Sequence, residues 1–259
     1  MDYKCLLYEK VGGITTITLN RPDVFNAFND EQSYELQDAL KTARKDDSTR
    51  VVILTGAGKA FCSGQDLKAI AGVKRSFIES LHKRYNPIIR EMRNMPKPII
   101  CKLNGVAAGA GCSLALASDF IVASENASLI EVFINVGLVL DSGSSFFLPR
   151  LVGSARAFEM STMGSKVSAK QALEWGMVNR CVPHEELDAA TMEIAEYYAN
   201  APTKAIGLMK KMLNKSFNSD LEAMLEYEAF CQEIAGSSDD NTEGVTAFIE
   251  KRKPKFTGK

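Results

Sequence analysis

Apolar and polar positions along the chain change period several times, and each change marks an element. Ile14 to Leu19 alternates, the period of a strand with one buried face. Val51-Val52-Ile53-Leu54-Thr55 is a buried-strand run closed by Gly56. Ile99-Ile100-Cys101-Lys102-Leu103, closed by Asn104-Gly105, and Phe120-Ile121-Val122-Ala123 are two more. Between the first two strands the period becomes helical, with Leu36, Ala39, Leu40 and Ala43 on one face. Asn29 is the expected N-cap of that helix, with Gln32 at its third position. Strands alternating with helices predict an α/β fold with mostly parallel strands.

From about Ser168 helical patterns dominate, broken at Gly176, Pro183, Pro202 and near Gly236. Leu208, Met209, Met212 and Leu213, then Leu221, Met224, Leu225 and Phe230, are apolar at helical spacing. A boundary is expected near Ala201-Pro202, dividing a core of residues 1–200 from a helical module of residues 201–259. The apolar faces of that module exceed what one short hairpin can cover, so it is expected to dock on the core or on a neighbouring subunit.

Composition narrows the function classes. Apolar residues make up 46% and charged residues 24% of 259, the profile of a globular protein with ample core. The net charge of −1 supplies no positive field to collect nucleic acid. Apolar stretches end well short of the ~20 residues a membrane span needs. Met1-Asp2-Tyr3-Lys4-Cys5 lacks the basic-then-apolar layout of a signal peptide; a reducing cytoplasm is the setting expected from cysteines that form no disulfide framework. Six scattered cysteines without a CxxC pair, and only two histidines, argue against zinc and against a disulfide framework. No metal site is expected.

Some motifs are excluded outright. Gly56-Ala57-Gly58-Lys59-Ala60 resembles a phosphate loop, but Ile53 stands where its first glycine belongs and Ala60 where Ser or Thr would hold magnesium. No dinucleotide fingerprint follows a strand. Cys62 and Cys112 have no histidine near them in sequence and read as small buried residues rather than nucleophiles.

Three segments retain chemical potential. Ala60-Phe61-Cys62-Ser63-Gly64-Gln65-Asp66-Leu67 follows one strand. Asn104 to Ser113, with Gly105, Gly109 and Gly111, follows another and opens a small-residue helix. Small residues let a backbone approach a ligand, and free N–H groups at a helix start favour negative charge, so one amide from each segment could bracket an oxyanion. The same glycines equally suit tight turns and close packing. The third segment, Val136 to Ser145, carries a single acid, Asp141, among apolar and small residues. A poorly hydrated carboxylate suits proton transfer near neutral pH; an Asp ahead of a helix is also a common N-cap. Both readings stand open on these residues alone.

In order, spacing and flanks the three segments resemble the crotonase (enoyl-CoA hydratase/isomerase) superfamily. The resemblance runs from Leu19-Asn20-Arg21-Pro22 to Glu250-Lys251-Arg252-Lys253-Pro254-Lys255-Phe256. It implies a spiral of ββα units, a C-terminal helical trimerisation module and an acyl-CoA thioester substrate, with coenzyme A as part of the substrate and no further cofactor. A homotrimer or a dimer of trimers is expected. The resemblance also implies that the N–H groups of Gln65 and Ala110 hold the thioester oxygen. Hydratases of the family use two glutamates, at positions occupied here by Ser113 and Phe133, which disfavours hydration. Asp141 stands where isomerases of the family carry their proton-shuttling acid. Tyr85-Asn86-Pro87, Glu174-Trp175-Gly176-Met177-Val178 and Pro254 to Lys259 are similar to the branch that isomerises ring epoxides of aromatic acyl-CoA thioesters and also moves double bonds. Leu140 departs from the proline expected there, and Ser144-Ser145 from a more glycine-rich turn.

By the same resemblance, Val24, Ala27, Asp66 and Leu67 line the CoA groove. Ser63, Gly109 and Ser113 are further substrate-binding positions, and Phe133 and Leu138 shape the acyl end. Lys255 and Phe256 reach the nucleotide or pantetheine from a neighbouring chain. Two competing readings remain. Family relatives that dehalogenate aryl-CoA thioesters use the Asp141 position as a nucleophile, with a histidine base near position 86; His82 lies one helical turn earlier. Some relatives bind RNA, and Lys251, Arg252, Lys253, Lys255 and Lys259 form a basic cluster, although a solvated face or contacts to CoA phosphates explain it more simply. His184 is expected in an exposed loop and Trp175 in the core.

Overall fold

Each repeating unit of the chain gives one strand to a large sheet and the next to a small one. The computed structural model describes residues 2–70, 72 and 76–259. A hairpin of β1 (Leu6–Val11) and β2 (Ile14–Leu19) opens the chain, and α1 (Asp30–Lys45) follows. Then come β3 (Val51–Gly56), β4 (Ala60–Cys62), the single turns α2 (Leu67–Ile70) and α3 (Phe77–Ser80), a π-helical turn at Leu81–Tyr85, and α4 (Asn86–Asn94). The second unit is β5 (Ile99–Leu103), β6 (Val106–Ala108) and α5 (Ala110–Leu116). The third is β7 (Phe120–Ser124), β8 (Ser128–Ile130), a 3₁₀ turn at Val132–Val136 and α6 (Ser144–Met163). β9 (Lys166–Ser168), α7 (Ala169–Glu174), β10 (Arg180–Val182), α8 (Leu187–Ala199), α9 (Thr203–Ser216), α10 (Leu221–Gly236) and α11 (Asp239–Ile249) complete it.

The large sheet runs β1-β2-β3-β5-β7-β10 and the small one β4-β6-β8-β9. Within the large sheet only the β1–β2 pair is antiparallel. β3 is buried along its whole length, as expected for a parallel strand covered on both faces. The strands read from hydropathy are present at β2, β3, β5 and β7, and α1 begins where its cap predicts. The Asn29 side chain accepts from the Gln32 N–H at 2.9 Å, and Leu36, Ala39, Leu40 and Ala43 are fully buried. The helical final third proves to contain one more strand. β10, only three residues long, pairs parallel to β7 and lies below the length at which periodicity is readable.

α9 is fastened to the core by charge as well as packing. Lys210, 6% exposed, donates to Asp119 at 2.6 Å, and Arg93 on α4 reaches the other carboxylate oxygen at 3.1 Å. Leu213, Leu221, Leu225, Phe230 and Phe248 on the C-terminal helices remain exposed. His184 is exposed, and its ring lies 3.0 Å from the Ser124 hydroxyl. Trp175 is half-buried against the core, with the Arg156 guanidinium over its ring. No helix among the described residues is long and apolar enough to cross a membrane.

Candidate active site

The ends of β4 and β6, the π-helical turn and the segment before α6 converge on a cavity of about 550 Å³. One wall is the stretch Ser63-Gly64-Gln65 after β4, and facing it is Gly109-Ala110 at the start of α5. These two stretches are nearly in contact. A Cβ on Gly64 would stand 2.8 Å from the carbonyl oxygen of Ala108 and 3.5 Å from the nitrogen of Ala110. Gly64 also has φ +90°, so a side chain there is excluded by both space and backbone. The Phe28 N–H donates to the Gly64 carbonyl at 2.7 Å and the Asp66 N–H to the Phe28 carbonyl at 2.9 Å. The Gln65 N–H between them donates to no protein group among the described residues. Ala110 is the first residue of α5 and has no preceding turn to bond back to, and among the described residues its N–H has no other acceptor. Two unpaired main-chain donors thus border one cavity, and α5 directs its positive end toward it.

Asp141 supplies the cavity's only acid among the described lining residues. It is not a cap: Gly143 holds the N-cap position of α6 without a side-chain bond. Burial raises the Asp141 pKa above the ordinary aspartate value, and the Ser142 hydroxyl, donating to Oδ1 at 2.8 Å, partly opposes that. Ser142, directly after Asp141, has φ +51°, a costly conformation for a residue with a side chain.

The opposite wall depends on a helical irregularity. Pro87 has no N–H to offer the preceding turn. The side-chain amide of the buried Gln37 on α1 donates instead to the Lys83 carbonyl at 2.9 Å, the acceptor an α-helical N–H at 87 would use, and also to the Arg84 carbonyl at 3.0 Å. This holds the π-helical turn, where the Asn86 N–H bonds back to Leu81, and it directs Tyr85 into the cavity. The Tyr85 hydroxyl donates to the side-chain carbonyl of Gln65, whose amide donates to the Phe28 carbonyl at 2.8 Å. Burial, then the charge of Asp141, raises the Tyr85 pKa and keeps the phenol neutral.

Of the other residues singled out from the sequence, Ser63, Leu67, Gly109, Phe133 and Leu138 line the cavity. Ser113 is fully buried behind its wall, where its hydroxyl faces the Asp141 main-chain carbonyl at 3.1 Å. Val24, Ala27 and Asp66 lie outside the lining. Asp66 instead pairs with Arg21 at 3.0 Å and caps the Ala69 N–H. Phe256 sits in a separate groove with Pro202, Ala205 and Phe248, and Lys255 donates its N–H to Glu243. His82 is exposed and does not line the cavity. Cys62 is buried, which pushes its thiol up to about 12 and leaves no thiolate for nucleophilic chemistry.

Sequence reasoning passed over Glu131. It is fully buried, and burial raises its pKa to about 7, the nearby Asp141 charge adding a smaller push. Its signal was present: one acid inside the apolar run Leu129-Ile130-Glu131-Val132-Phe133.

Residues 9–259 match the family described as Enoyl-CoA hydratase/isomerase. The chain is 42% identical over 251 residues to the 1,2-epoxyphenylacetyl-CoA isomerase of Escherichia coli (strain K12), covering 95% of this chain and 96% of that one. It is 39% identical to a probable enoyl-CoA hydratase of Rhodobacter capsulatus over the full length of both. The crystal structure of an enoyl-CoA hydratase from Bacillus anthracis superposes with a TM-score of 0.94 at 34% identity, covering 99% of this chain and all of that one.

Proposed function

The chain belongs to the enoyl-CoA hydratase/isomerase family, and within it we propose an acyl-CoA isomerase that shifts a double bond, or opens a ring epoxide, through a thioester enolate. The observation that carries this reading is the pairing of one half-buried acid, Asp141, with two unpaired amides, Gln65 and Ala110, across a single cavity.

The thioester oxygen fits between the two amides. Loss of a proton from the carbon beside the carbonyl, or from its vinylogous position, moves negative charge onto that oxygen. One preorganised donor of this kind is worth about 3 kcal/mol of barrier. Ionised Asp141 accepts the proton and returns it to the other end of the allylic system, so substrate and product have the same composition. Its raised pKa suits both halves of that task, because the acid formed is weak enough to persist and strong enough to give the proton back. With a ring epoxide the same electron sink draws on the ring carbons as the C–C bond of the epoxide opens to an oxepin. The relative named 1,2-epoxyphenylacetyl-CoA isomerase supports that substrate class. Ser63, Gly109, Phe133 and Leu138 border the reacting group and the acyl chain in this reading.

Hydration needs an acid and a base that both hold water. Phe133 presents a ring to the cavity, and Ser113 lies behind its wall. Dehalogenation needs a histidine base, and none lines the cavity among the described residues. The basic C-terminal cluster is partly paired internally, Arg252 with Glu243 and Glu250.

A substrate panel on one preparation tests the reading: 3-enoyl-CoA isomerisation, 2-enoyl-CoA hydration, epoxide conversion and halide release from a 4-halobenzoyl-CoA. Isomerisation exceeding hydration by orders of magnitude is expected. Hydration as the dominant turnover overturns it.

A further inference from the structure

Behind the cavity wall a chain of hydroxyls joins two acids. Glu131 Oε1 lies 2.7 Å from the Ser144 hydroxyl, which lies 2.8 Å from that of Ser113, which lies 3.1 Å from the main-chain carbonyl of Asp141. We propose that Glu131 is a positioning residue for Asp141, acting as the donor at the far end of this relay; the role rests on the isomerase reading of the site.

Each hydroxyl carries one proton, so the relay has a direction. When Glu131 is neutral it donates to Ser144, Ser144 donates to Ser113, and Ser113 donates to the Asp141 carbonyl. When Glu131 is ionised, Ser144 turns to the carboxylate, and Ser113 turns to Ser144, because two hydroxyl oxygens 2.8 Å apart with no proton between them repel. The Asp141 carbonyl then keeps only the Ser144 N–H, at 3.0 Å. That carbonyl directly precedes Ser142, whose backbone is strained at φ +51°. The titratable groups facing Glu131 are the Cys112 thiol from α5 and Asp141 itself; Tyr85 faces Asp141 across the cavity. No cation faces Glu131 among these groups. Burial therefore keeps Glu131 neutral up to about pH 7, and the relay points toward Asp141 below that pH.

The test compares wild type with Glu131→Gln, which can donate at every pH, and with Ser144→Ala, which interrupts the relay. For 3-enoyl-CoA isomerisation, wild-type kcat is expected to fall several-fold as pH rises through about 7, with KM nearly constant. Glu131→Gln loses that limb, and Ser144→Ala has a lowered kcat without it. Either variant retaining the wild-type profile overturns the proposal, and Ser144→Ala suffices if Glu131→Gln does not fold. A wild-type enzyme that isomerises nothing sinks the functional reading alone. The relay is then read without substrate, from the Asp141 carboxyl by ¹³C NMR. A second inflection near pH 7 in wild type, absent in Glu131→Gln, supports it; identical curves overturn it.

Discussion

The Tyr85 hydroxyl donates to the side-chain carbonyl of Gln65, the residue whose main-chain N–H borders the cavity opposite Ala110. With the Gln65 amide nitrogen bonded to the Phe28 carbonyl, both polar atoms of that side chain are fixed, which steadies the residue that carries the main-chain N–H. The Tyr85 ring itself is held edge-on against Phe28, with centroids 5.6 Å apart. Tyr85→Phe therefore keeps the packing and removes only the bond. Stability should change by no more than about 1 kcal/mol. Turnover should drop about tenfold, the size of one weakened donor. Steady-state kinetics beside a thermal melt checks this; unchanged kcat would show that Gln65 needs no such support.

Asp141→Asn preserves volume and removes the proton acceptor. Isomerisation should fall by about three orders of magnitude or more, while binding of an unreactive acyl-CoA, measured by calorimetry, stays near wild type. The raised pKa adds a sign. The folded state holds the Asp141 proton more tightly than the unfolded chain, so the stabilising contribution is complete at low pH and is lost as pH rises through the folded value. Asn cannot ionise, so the variant should melt at or above the wild-type temperature at pH 8. In wild type kcat/KM should rise with pH through a value above the ordinary aspartate range. Near-normal turnover in the variant would reduce Asp141 to a structural residue.

The legible parts of this molecule were the ones written in local periodicity. β2, β3, β5, β7 and α1 follow from alternation, apolar runs and the Asn29 cap. Asp141 and the two glycine segments stood out because an acid, or a cluster of glycines, is unusual in an apolar context. What stayed hidden depends on contacts between distant positions. The five residues between Gly56 and Cys62 do not reveal that β4 leaves the large sheet for the small one. Nothing near Tyr85 announces that Gln37, on α1, would satisfy the carbonyls of Lys83 and Arg84 ahead of Pro87. The resemblance could not show that the Asp66 carboxylate is taken up by Arg21 and by the start of its own helix, both set by the fold. Glu131 was overlooked because a charged residue amid apolar ones reads as a break in a run, whereas here it is a neutralised part of the wall.

The anchor of α9 gives a test of what holds the C-terminal helices to the core. Asp119 accepts from Lys210, Arg93 and the Ile99 N–H. Asp119→Ala leaves a buried ammonium and a half-buried guanidinium unpaired, a change that costs about 3–5 kcal/mol. Lys210→Met leaves Asp119 still paired to Arg93 and replaces the lysine stem with one of similar shape, so it should cost much less. Thermal melts of the two variants should fall in that order, and the reverse order would show that α9 is held chiefly by its apolar face.

Glu131 ties stability to pH in a way that isolates its burial. Its pKa is near 4.5 in an exposed chain and about 7 in the folded protein. Between those values the unfolded chain has released the proton and the folded one has kept it, so stability falls as pH rises across the interval. A displacement of that size corresponds to about 3 kcal/mol, present in full below pH 4.5 and lost above about 7. Glu131→Gln cannot ionise and should escape that loss. Its melting temperature should match wild type near pH 5 and exceed it at pH 8, where the wild-type chain carries an uncompensated buried carboxylate. Parallel melting curves for the two proteins across pH 5 to 8 would mean that Glu131 is hydrated in solution, and the hydroxyl relay behind Asp141 would lose its donor.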